Sequence, residues 1–159
     1  MKITDVKCAI IASSPVIRIT TDEGITGWSQ IETPKPYLQP IVLQLKSWLV
    51  GQDPVNVERV VKRIRVRGGF KPFGAAVSAI EIALWDIAGK AANLPVYRLM
   101  GGKVRDQVRT YRTLYHQEAG VKHTPDDYRR WAEYGMALEG DFSMFKLPTS
   151  FHSSMVRDF

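Results

Sequence analysis

Few side chains in this chain are typed and spaced for chemistry. Residues 142 to 147 read as a strand in which Phe142, Met144 and Lys146 share one side, with Lys146 at the C-terminal end. An ammonium there can pair with a carboxylate or tune a neighbour's pKa, or it can be an ordinary strand-end lysine. His116 follows one predicted strand and His152 the next, and loops after strands are common hosts of functional residues. A solvated loop histidine is the plainer reading of both. His123 precedes a helix and suggests no role. The acids are dispersed. Asp126 and Asp127 begin a helix, where carboxylates favour the N-terminal dipole. Glu81 and Asp86 lie five apart on a helix and do not share a face, and Asp141 precedes its strand. No Asp, Glu or His cluster suits a metal, so no metal ligand is expected within this chain.

Composition narrows the function classes. Of 159 residues, 45% are apolar and 24% charged, as in ordinary globular proteins. No run approaches the ~20 apolar residues of a membrane span, and the N-terminus lacks a signal-peptide pattern. Cys8 is the single cysteine, so no internal disulfide is possible, and in a strand it reads as a buried, inert thiol. These features suit a cytoplasmic protein. The net charge of +6 invites a nucleic-acid partner. However, Arg59, Arg63 and Arg67 line one side of a helix whose other side carries Val57, Val60, Val61 and Ile64. That is a solvated outer face, with no zinc-finger or RNP-type motif beside it. Neither nucleic acid nor membrane is expected as a partner.

The elements that must position these residues follow from periodicity. Residues 3 to 12, 16 to 21 and 25 to 31 alternate or are β-branched. Ser13 to Pro15 mark one turn and Asp22 to Gly24 another, which predicts a three-stranded antiparallel meander. Tyr37, Ile41, Leu45 and Trp48 then take helical spacing up to Gly51. Asp53 and Pro54 suit an N-cap and first turn of a helix ending at Gly68 and Gly69. A third helix spans about 74 to 92, with Ile80, Ala83, Leu84 and Ile87 on one face and Asn93 and Pro95 as its stop. Beyond it, residues 107 to 115 predict a strand. Thr124, Pro125 and Asp127 predict a capped helix with Tyr128, Trp131, Ala132, Gly135 and Leu138 on its apolar face, ended by Gly140. The strand at 142 to 147 completes a βαβ unit with parallel pairing.

Two segments carry a family resemblance: Ile19 to Trp28, reading ITTDEGITGW, and Ala79 to Tyr111, reading AIEIALWDIAGKAANLPVYRLMGGKVRDQVRTY. Both are similar to the capping domain of the mandelate racemase and muconate lactonizing group of the enolase superfamily. The resemblance implies an α+β capping domain over 1–104. Residues 105–159 would then begin a (β/α) TIM-type barrel, incomplete because such a barrel takes ~250 residues. It further implies an enzyme whose barrel carboxylates hold Mg2+ and stabilise the enolate left when a proton beside a carboxylate is removed. The substrate would be a small-molecule carboxylate, and the intact parent a homo-oligomer. This chain alone is expected to be inactive, because the metal-bearing strands of the family come later.

The resemblance also assigns residues. Lys146 matches the first lysine of the family's Lys-x-Lys pair, and Pro148 stands where the second would be. That departure from the racemase pattern favours the acid-sugar dehydratases over a racemase or cycloisomerase. His116 falls on the mouth side of the first barrel strand, as a weaker catalytic candidate. Ser13 and Ser14, with Lys35 and Tyr37, fall in the capping loops that close over substrate. A non-catalytic truncated α+β module is the rival reading.

Overall fold

The structure is a computed structural model that describes residues 1–32, 34–68, 74–114, 124–138 and 144–146. It divides into two units, Met1–Val104 and Arg105–Phe159.

In the first unit, strands β1 (Ile3–Ile11), β2 (Ser14–Thr21) and β3 (Thr26–Gln30) form an antiparallel sheet in the order β1-β2-β3. Strand β1 carries a bulge. Ile3 pairs with Thr21 while Asp5 pairs with Thr20, so Thr4 is the extra residue. The bulge resets the alternation and lets Ile3 and Val6, three apart, both face the core. Ile17 and Ile19 of β2 are wholly buried on that face. The outer end of β1 outruns this core, which leaves Ile10 and Ile11 exposed. The turn between β1 and β2 is Ala12–Ser13, tighter than the expected Ser13 to Pro15; Ser14 and Pro15 pair with Ile11 and Ile10 inside the sheet. Gly24, at φ +79°, supplies the second turn as expected.

Two helices, α1 (Gln39–Leu49) and α3 (Gly74–Ala92), cover one face of the sheet, and α2 (Val57–Gly68) packs on both of them. A 3-10 turn at Pro36–Leu38 precedes α1 and rotates its apolar stripe. Leu38, Val42, Leu45 and Leu49 are buried, Ile41 and Trp48 lie at the margin of the core, and Tyr37 is exposed. The predicted helix was right in place, but its inner face is shifted by about one residue. Asp53 acts one turn before α2 and does not cap it directly. Its carboxylate takes the Val55 N–H at 3.1 Å and the Asn56 amide at 3.1 Å. Val57, Val60, Val61 and Ile64 are buried, leaving Arg59 and Arg63 of α2 to solvent. On α3 the buried set includes Ile80, Ala83, Leu84 and Ile87. This helix ends in a Schellman motif: Asn93 sits at φ 51°, Leu94 N–H reaches Gly89 C=O at 2.9 Å, and Asn93 N–H reaches Lys90 C=O at 3.1 Å. The short α4 (Val96–Leu99) follows.

In the second unit, β4 (Arg112–Thr113) and β5 (Phe145–Lys146) pair in parallel, with α5 (Pro125–Ala137) between them in sequence. Strand β4 is much shorter than the predicted 107 to 115. Helix α5 starts in a full capping box: Asp127 N–H donates to Thr124 Oγ1 at 3.3 Å, and Thr124 N–H donates to Asp127 Oδ2 at 2.8 Å. Among the described residues no helix is long and apolar enough to cross a membrane.

Candidate active-site elements

The parallel pair positions Lys146. Arg112 N–H donates to Met144 C=O at 3.1 Å, and Leu114 N–H to Lys146 C=O at 3.0 Å, so Thr113 sits beside Lys146 and Arg112 beside Phe145. Gly135 of α5 identifies the helix-facing side. A Cβ there would lie 2.8 Å from Leu114 Cδ1 and 3.2 Å from Phe145 Cδ1. Leu114 and Phe145 therefore pack under α5, and strand alternation puts Thr113, Met144 and Lys146 on the opposite face. In a (β/α) barrel the helices cover the outside, so in a completed barrel that opposite face would be the interior one. Lys146 is exposed. The positions of His116, His123, Asp141, Phe142, Pro148 and His152 lie outside the described residues.

The other candidates gather at one end of the meander in the first unit. Because β3 runs antiparallel to β2, the chain leaving β3 emerges beside the β1–β2 turn. Ile31 N–H donates to Pro15 C=O at 2.8 Å, and Gln39 Nε2 donates to Cys8 C=O at 2.8 Å. The topology thus brings Ser13 and Ser14 to the same end as the segment carrying Lys35 and Tyr37. Their availability differs. Ser13 lies in the left-handed region at φ 68°, and its hydroxyl is turned back to the Ala12 carbonyl at 2.5 Å. Ser14 is buried. The Lys35 ammonium is paired with Glu32, which raises the lysine's pKa and lowers the glutamate's through their hydrogen bond. Tyr37 is exposed. Cys8 is half-buried, and burial pushes its thiol upward, away from a reactive thiolate.

Asp86, which the sequence sets on a different face of α3 from Glu81, is structural. Asp86 Oδ2 accepts the Trp28 N–H at 2.9 Å and the Lys90 ammonium at 2.6 Å, and Lys90 Nζ also donates to the Thr26 carbonyl at 2.7 Å. Gly27, between those two strand residues, has no room for a side chain, since a Cβ would lie 2.1 Å from the Ala83 carbonyl oxygen. The two segments quoted above therefore meet here, as a joint between β3 and α3. The available signal was an Asp and a Lys four apart on α3. Glu81 faces Arg65 at 3.6 Å. Asp5 is held below its ordinary carboxylate range, mainly by the Lys46 ammonium that ties α1 to β1. Among the described residues, no three His, Cys, Asp or Glu side chains come together as a metal site.

Known proteins resemble this chain in both sequence and fold. It is 43% identical over 101 residues to the D-galactonate dehydratase of Verminephrobacter eiseniae, covering 60% of this chain and 26% of that protein. It is 42% identical over 120 residues to the D-galactonate dehydratase of Xanthomonas axonopodis pv. citri, covering 71% and 31%. The chain thus spans between a quarter and a third of the length of these curated relatives. Among solved structures, it matches an enolase from Agrobacterium radiobacter with bound Na and L-malate, at TM-score 0.72 and 33% identity over 92% of this chain and 38% of that one. It also matches an enolase-superfamily member from Salmonella Typhimurium, at TM-score 0.76 and 30% identity over 93% and 42%. Residues 4–101 match the family described as mandelate racemase / muconate lactonizing enzyme, N-terminal domain. With the meander, the covering helices and this match in agreement, the chain belongs to the mandelate racemase / muconate lactonizing enzyme family of the enolase superfamily, through its N-terminal domain.

Proposed function

We propose that this chain is the N-terminal portion of a magnesium-dependent lyase that dehydrates a sugar acid. One observation carries the reading: the 42% identity to a D-galactonate dehydratase runs over 120 residues, beyond the capping domain and into the second unit. In such a reaction the proton beside the carboxylate is removed, the neighbouring hydroxyl leaves as water, and the resulting enol tautomerises to a 2-keto-3-deoxy acid. In this reading Lys146 pairs with the carboxylate of the substrate from the interior face of the sheet. Its support is the strand alternation that sets Lys146 opposite Leu114 and Phe145. Ser13, Ser14, Lys35 and Tyr37 are the proposed substrate-binding residues of the capping domain. In this reading the metal's ligands come from barrel strands of the parent enzyme. Magnesium would supply the charge that stabilises the enolate. The parent is proposed to act as a homo-oligomer.

The test is turnover by the full-length protein that carries this segment, with magnesium and a panel of aldonic and aldaric acids. A 2-keto-3-deoxy acid formed from D-galactonate or a related aldonate is the expected product. Inversion without loss of water would replace the dehydratase with a racemase, and ring opening or closure would replace it with a cycloisomerase. Absence of turnover on every sugar acid would overturn the reading.

A further inference from the structure

We propose that the Asp86–Lys90 pair plugs the outer edge of β3 against strand addition, and that the strand it excludes is β3 of a second copy of this chain. Strand β3 ends the sheet order, so among the described residues one side of its backbone has no neighbouring strand. Such an edge offers N–H and C=O groups to any passing strand. Here the Trp28 N–H and the Thr26 C=O, on either side of Gly27, are already taken by Asp86 at 2.9 Å and Lys90 at 2.7 Å. The two side chains are themselves joined at 2.6 Å. An acceptor for the one and a donor for the other are what the backbone of a neighbouring antiparallel strand would present, from the two residues that flank the one opposite Gly27. The helix-borne ion pair therefore stands in for that stretch of strand. Gly27 makes the substitution possible, because a side chain there would collide with the Ala83 carbonyl and lift β3 off α3.

The other edge is covered differently. Ile3 of β1 exchanges hydrogen bonds with Gly51 and Gln52, and Cys8 C=O accepts from Gln39. Apolar surface lies next to the plug. Trp28 is 49% exposed, Ile82 56% and Met100 66%, and with Trp85 and Val96 they line an open groove of about 630 Å³. An antiparallel pairing of two β3 edges about a twofold axis is self-complementary and would set these apolar residues against their own copies. That makes a second copy the partner an open edge would take.

The test compares the 159-residue chain with its Asp86→Ala/Lys90→Ala variant, by light scattering over a concentration series and by amide exchange at Trp28. The variant should rise with concentration towards twice the mass of the unsubstituted chain, with its Trp28 amide slowing as it does so. Asp86→Asn keeps an oxygen that accepts the Trp28 N–H and should stay at the unsubstituted mass. Where the double variant fails to fold, Lys90→Met, which frees only the Thr26 carbonyl, should show the same rise at higher concentration. A folded Asp86→Ala/Lys90→Ala or Lys90→Met variant that matches the unsubstituted mass throughout overturns the proposal. So does association that leaves Trp28 exchange unchanged.

Discussion

Lys146 has no ion-pair partner among the described residues, and it faces away from the helix that covers its neighbours. A substrate carboxylate is the partner the proposed function supplies. Lys146→Met in the full-length enzyme should then cost at least ~3 kcal/mol of transition-state stabilisation, roughly two orders of magnitude in kcat/KM. Far-UV circular dichroism should be unchanged, because Met preserves most of the volume of the side chain. Near-normal turnover would reduce Lys146 to a strand-end lysine. Asp127 is a second residue whose environment sets a measurable property. The Thr124 backbone N–H, the Thr124 hydroxyl and Arg130 hold its carboxyl at about 2, below the ordinary 3.8. A depressed carboxylate contributes stability that is present above about pH 4 and lost as pH falls through about 2. The α5 N-terminus should accordingly fray in that window, read from the carboxyl resonance of Asp127 and exchange of its amide, and Asp127→Ala should abolish the dependence. The strand face of Lys146 was legible from parity, and the Asp127 cap from its place three residues after a threonine. Asp86 was not. Its bond to Trp28 joins residues 58 apart in sequence, and a strand edge leaves no local pattern to read.

The meander, the three helices after it and the βαβ order were all readable, because each rests on a periodicity repeated over several residues. What escaped were single-residue offsets. The bulge at Thr4 and the 3-10 turn before α1 each shift an apolar stripe, and neither leaves a composition signal. The β1–β2 turn escaped for a different reason: Ala12 and Ser13 both take positive φ, 46° and 68°, although neither is a residue such a turn favours. A two-residue turn with both centres at positive φ normally takes Asn-Gly, and each ill-suited residue costs ~1 kcal/mol. Replacing the pair by Ala12→Asn and Ser13→Gly should therefore stabilise the fold by about 2 kcal/mol, read as a higher urea midpoint at constant m. No gain would mean that the exposed hairpin tip relaxes at no cost to the rest of the sheet. Gly27→Ala makes the opposite case. A Cβ at 2.1 Å from the Ala83 carbonyl cannot be accommodated without parting β3 from α3. The loss should be at least ~3 kcal/mol, near the upper range for single substitutions.

The two units differ in how much each can bury. In Met1–Val104 a continuous core runs from Ile3 to Ala88, in which Ile17, Ile64, Ile80 and Leu84 are wholly buried, so each helix contributes to a shared interior. Among the described residues of the second unit, α5 packs on a strand pair only two residues long on each side, with Leu114 as the buried hydrophobic residue. Parallel strands gain stability when sheet neighbours and helices cover them from several sides, and in this family the closed barrel provides that cover. Opening free energies should follow this difference, since local unfolding draws on the contacts a region would lose. The amides of Arg112 and Leu114, bonded to Met144 and Lys146, should therefore exchange faster than those of Ile80 to Ala88 inside α3. Exchange followed by mass spectrometry or NMR on residues 1–159 reads this directly. Protection at Leu114 equal to that at Leu84 would mean that the second unit draws its stability from more than the contacts between its strands and α5.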